Sequence, residues 1–179
     1  MNTGKNLAAL ALACGADNSG VVDVKSIQFD SELRKACEAN HCGHYGKNWT
    51  CPPHVGEIDE LIDKAKRFKK AVVFQTINRL KDSFDFEGME AAGEAHEQVA
   101  RKILNHCKTG DNSFLLLSAG GCRYCKRCQL QDDKPCTSPE NAIASLEAHG
   151  IFVTNLAAIS GMNYINGQNT VTFFGAVLI

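Results

Sequence analysis

The chain has 179 residues, 44% hydrophobic and 22% charged, the make-up of one soluble globular domain able to bury a core without disulfide or metal staples. Nineteen Lys and Arg against twenty Asp and Glu leave a net charge of -1, with no basic excess for phosphates, so no nucleic-acid and no membrane partner is expected. The outlying number is nine cysteines, at 14, 37, 42, 51, 107, 122, 125, 128 and 136; without a convincing export signal, they point to metal or redox chemistry in a reducing cytosol.

Lys5 and the apolar run 7–13 before Cys14 have the outline of a lipoprotein signal. The run is short, however, and Ala11 stands where Leu is usual, so the segment reads as a buried N-terminal helix capped by Gly15 and the location as cytoplasmic. No apolar stretch approaches the ~20 residues of a membrane span. Residues 20–28 carry β-branched side chains at strand density, and Asp30 is expected to cap a short helix reaching about Ala39. The stretch 37–54 then holds three Cys, three His, two Gly and Pro52-Pro53, a loop composition with ligand chemistry in it.

Ile58, Leu61, Ile62, Ala65 and Phe68 recur at helical spacing, and 71–77 reads as a buried strand. Met89, Ala92, His96, Val99, Ile103 and Cys107 share one face of a long helix from about Phe86 to Cys107, where His96 and Cys107 read as packing. A strand over 113–118 ends at Gly120-Gly121, where the second cysteine loop begins. Ser138-Pro139-Glu140 predicts the start of a helix that Gly150 ends. A short helix over 152–159, an Asn- and Gly-rich loop over 161–169 and a strand over 171–179 close the chain. The pattern predicts a single α/β domain over 1–179: a mixed sheet of about four strands, flanking helices and two cysteine-rich metal loops.

The second loop carries the most specific signal, Cys122-x2-Cys125-x2-Cys128-x7-Cys136. Two-residue gaps fold three thiolates toward one centre, as in ferredoxin loops that hold a 4Fe-4S cubane, whereas structural zinc takes paired knuckles. The ferredoxin fold itself is not implied, because the fourth Cys lies further off than in the ferredoxin run. Arg123, Lys126, Arg127 and Lys134 suit an anionic cluster, as does the dipole of the helix expected at Pro139. The first loop gives Cys37-x4-Cys42-x8-Cys51. Its fourth position is open to His41, His44, His54, a remote cysteine such as Cys136, or an exogenous ligand. Tyr45 and Trp49 are expected to cover the loop. Asn48-Trp49-Thr50 matches a glycosylation sequon without meaning in an unexported chain.

These residues resemble a prokaryotic family, the predicted metal-binding proteins of domain of unknown function 2284. The resemblance rests on Phe29-Asp30, Cys37, Cys42, Tyr45-Gly46-Lys47 and Cys51-Pro52-Pro53 in the first half, and on Gly121-Cys122, Cys125, Cys128, Pro135-Cys136, Pro139-Glu140 and 145–151 in the second. It implies that Cys37, Cys42, Cys51, Cys122, Cys125, Cys128 and Cys136 are the metal ligands and leaves Cys14 and Cys107 outside the set. It supplies no reaction.

The leading expectation is a protein with one or two 4Fe-4S clusters that transfers electrons to a redox partner protein. An alternative is an iron–sulfur enzyme, of redox or sulfur-handling type, whose three-cysteine cluster binds substrate, with Lys47, Asn48 and the loop 163–169 as contacts. A further alternative is a zinc-stabilised interaction module.

Overall fold

A computed structural model describes residues 3–110 and 113–179. Five strands form one mixed sheet in the order β1-β2-β5-β3-β4: β1 (Asn18–Asp23), β2 (Lys70–Arg79), β3 (Leu115–Ser118), β4 (Ala144–Ser145) and β5 (Thr170–Leu178). All neighbours run antiparallel except β3 and β4. The sheet thus has one strand more than the sequence predicts, because β4 is only two residues long and is defined by pairing of Ala144 and Ser145 with Leu117 and Ser118.

Side chains alternate faces along a strand, and the central strands are buried on both. Val72 and Phe74 of β2, Leu116 of β3 and Val177 of β5 face α1 (Thr3–Ala13) and α4 (Phe86–Cys107), meeting Ala11, Val99, Ala100 and Ile103. Ala71, Val73, Leu117, Phe174 and Ala176 face the other way, onto Ala65 of α3 (Ile58–Lys66) and Leu156 and Ala157 of α5 (Val153–Ile159). Helices therefore cover both faces of the sheet. Gly175 is required within it, since a Cβ there would drive into the Phe74 ring.

The long helix begins where its apolar stripe does, with the Asp85 carboxylate accepting from the Gly88 N–H at 3.0 Å as its cap. His96 on its stripe is packing, as expected: its ring lies between Phe74 and Phe173, and Nδ1 is 2.9 Å from the Thr76 hydroxyl. Burial pushes His96 down to about 4, so the ring is neutral. Cys14 and Cys107 also pack against this layer.

The strand expected over 20–28 ends at Asp23 and gives way to a 3₁₀ turn at Val24–Ser26, and two helix expectations fail. The helix over 139–150 is absent, and that stretch holds 3₁₀ turns at Pro139–Asn141 and Glu147–His149 with β4 between them. Ser138 donates to the Glu140 carboxylate instead of capping. Ile143 and Leu146 are buried in opposite layers, with β4 on the free side of β3, which an α-helix here could not provide. With the helix goes its dipole near Cys136. Likewise Asp30 does not cap α2 (Leu33–Glu38); it accepts from the Glu32 N–H at 2.9 Å, turning the chain two residues earlier.

Candidate metal centre

Both cysteine loops lie beyond the same end of β3. The second begins at Gly120-Gly121, just after that strand, and the first, which lies in the chain between α2 and α3, brings Cys51 against Gly121. All nine cysteines are free thiols. Cys122, Cys125, Cys128 and Cys136 line one small cavity of about 20 Å³, walled by Asn48, Trp49, Thr50 and Gln129. Cys37, Cys42 and Cys51 line a second, wider cavity of about 380 Å³, with Leu33, Ala36 and Tyr45 among its apolar walls. Cys136 thus stands with the cysteines of its own loop.

The two cavities share a wall. Asn48 donates from Nδ2 to the Cys122 carbonyl at 2.8 Å, and the Cys122 N–H donates to the Thr50 hydroxyl at 3.0 Å. Asn48 Oδ1 accepts from the Thr50 N–H at 3.1 Å and from its hydroxyl at 3.0 Å, so the strut is internally braced. The sequon residues therefore act as a buried clamp between the loops. Trp49 Nε1 adds a bond to the Lys134 carbonyl at 3.1 Å, which places the indole against the four-cysteine cavity of the other loop instead of over its own, where Tyr45 alone of the expected pair lines the cavity. Gly121 makes the closeness possible, because a Cβ there would stand 2.8 Å from the Cys51 sulfur.

The charge around the sulfurs comes from an unexpected quarter. Arg101 of α4 donates to the Cys122 sulfur at 3.6 Å, pairs with Glu97 at 2.6 Å, reaches the Asn141 carbonyl and lies 4.8 Å over the Tyr124 ring. Of the loop cations, Arg127 pairs with Asp132 at 3.0 Å, and Arg123 lies against Gly93 of α4. The sequence offered one sign of Arg101, the Glu97 and Arg101 spacing of four along a helix; nothing in it linked that pair to a loop twenty-one residues on.

At the three-cysteine cavity, burial pushes the Cys51 thiol up to about 11 and, with the Glu147 carboxylate beside it, raises Cys37 as well. Metal ligation needs thiolates, so loading this centre must expel protons. Of the three candidate histidines, His41 lines the cavity, while His44 and His54 are exposed and line neither. His54 packs edge-on against Trp49, its ring 5.4 Å away. Neither Lys47 nor the loop 163–169 lines either cavity; that loop is tied down by Asn166 to Thr172 and by Tyr164 stacked on Phe174. Glu147 is a wall residue that sequence reasoning missed, since the segment was read as helix.

Whether these residues fit a cluster is decided by donor chemistry. Seven soft thiols divide four and three between adjoining cavities, and a guanidinium already donates to one sulfur. Among the described residues, no three Cys, His, Asp or Glu side chains close on one point as a single ion requires. The donor set is that of a thiolate-bound metal group.

A two-layered helical cover on a mixed sheet, with free cysteines gathered into two cavities beyond one strand, defines a cysteine-rich metal-binding protein. The chain belongs to the DUF2284 family, described as predicted metal-binding protein, whose model matches residues 20–179. No curated protein and no solved structure matches it. No described helix is long and apolar enough to cross a membrane.

Proposed function

We propose that this protein is an iron–sulfur protein that passes electrons to a partner, with one 4Fe-4S cluster held by Cys122, Cys125, Cys128 and Cys136 and a second centre held by Cys37, Cys42 and Cys51. The observation that carries the reading is the division of seven cysteines between two cavities that share the Asn48 to Cys51 wall. Such clusters supply one-electron transfer, with potentials set by charge, hydrogen bonds to sulfur and solvent access. This chain's residues address each of those. Arg101 puts a positive charge and an N–H on Cys122, Trp49 covers the four-cysteine side, and the Asn48 clamp fixes the spacing of the loops. The run Cys122, Cys125 and Cys128 with its two-residue gaps supports a cluster over zinc, which usually takes paired knuckles.

The width of the three-cysteine cavity favours a second reading, in which that centre also receives a small molecule. Its volume of about 380 Å³ falls among ordinary ligand pockets. A redox titration followed by electron paramagnetic resonance tests the main reading. The expected result is two reducible centres, of which Cys42→Ala removes one and Cys128→Ala disrupts the other. A protein with no reducible centre, or one on which Cys42→Ala has no effect, would contradict it.

A further inference from the structure

One carboxylate lines the three-cysteine cavity, that of Glu147. Its turn is fixed from several sides. The Asp30 N–H donates to the Gly150 carbonyl at 2.7 Å, the Ala148 N–H to the Ser145 hydroxyl at 3.0 Å, and the Ile151 N–H to the Leu146 carbonyl at 3.0 Å. The turn also packs against α2, which carries Cys37, and α3. Glu147 thus belongs to a rigid wall. Among the described residues it makes no ion pair.

Its carboxyl is half-buried, has no cation to pair with among those residues, and lines the same cavity as the three thiols. Of the other polar side chains on the wall, Ser145 and Tyr45 are neutral hydroxyls, and His41, on the exposed loop beside Cys42, is the competing ligand that the test separates.

We propose that Glu147 is the fourth protein ligand of the three-cysteine centre, binding one iron through a carboxylate oxygen. The proposal rests on the iron–sulfur reading above. A carboxylate is a harder ligand than thiolate and less suited to an iron in a sulfur environment, so this is the iron that a small molecule with an oxygen or sulfur donor would reach. Leu33, Ala36 and Tyr45 would wall such a molecule on its apolar side.

The test is iron-57 Mössbauer spectroscopy with iron and sulfide counts on the full chain, purified without oxygen, as wild type, Glu147→Gln and His41→Ala. The wild type is expected to show one iron site distinct from its thiolate-bound irons, and Glu147→Gln to lose that site while the four-cysteine cluster keeps its signal. A wild-type spectrum of thiolate-bound irons alone would overturn the proposal without recourse to any variant. So would an unchanged Glu147→Gln spectrum, or loss of the distinct site in His41→Ala instead. Two sulfide-containing centres with either result would leave the iron–sulfur reading standing, whereas a chain without sulfide would overturn both.

Discussion

Arg101 donates to the sulfur of Cys122 across 3.6 Å, from a helix that contributes no cysteine to that cavity. Its partner Glu97 is equally enclosed, the two side chains being 18% and 12% exposed. The pair therefore holds a positive group against the four-cysteine centre at the cost of desolvating two charges. Positive charge and an N–H on a ligand sulfur both favour the reduced, more negative cluster. Arg101→Gln is expected to lower the midpoint potential of the four-cysteine cluster and leave the other centre unmoved, with Arg101→Lys falling between. Leaving Glu97 buried without its partner should also cost about 3 kcal/mol of stability in the Gln variant. Electrochemistry and denaturant titration read the two effects separately, and an unaltered potential would contradict the assignment.

Gly121 stands between the centres, and the space a methyl group would need there holds the Cys51 sulfur at 2.8 Å and the Asn48 side chain at 3.5 Å. Gly121→Ala is expected to displace both, costing about 1–3 kcal/mol as other overpacked sites do. Because Asn48 clamps Cys122 and Cys51 lines the other cavity, iron content should fall at both centres together. Loss confined to one would show that the wall is not shared.

Much of this was legible from sequence, and the exceptions have physical reasons. The 22-residue helix Phe86–Cys107 was readable to its ends because one apolar stripe and one cap define it locally. The strands β2 and β5 were readable because burial on both faces makes them continuous apolar runs. The segment 139–150 carries a genuine helix-start signal at Ser138-Pro139, yet tertiary pairing of Ala144 and Ser145 with β3 overrides it. The same misreading hid Glu147. The cysteines of the two loops were visible from their spacing, while the clamp that joins the loops depends on Asn48 meeting Cys122, a contact no local pattern encodes.

Buried His96 makes the fold sensitive to acid. Its pKa of about 4 in the folded chain lies below the ordinary 6.5, so between those values the unfolded chain binds the proton and the folded chain does not. Stability from this residue is thus fully present above pH 6.5 and is lost as pH falls toward 4, on the order of 3 kcal/mol in total. Denaturant midpoints at pH 7 and 5 should show a steeper loss in the wild type than in His96→Phe, compared at equal metal loading. Equal slopes would contradict a neutral buried ring.

The central claim, that seven cysteines hold iron–sulfur centres in two cavities, is tested most directly by counting iron, zinc and acid-labile sulfide per chain in protein purified without oxygen. The account predicts iron and sulfide in near-equal amounts, at about eight of each for two cubanes, with little zinc. Zinc without sulfide would contradict it and make the cysteine cavities a thiolate-held structural site.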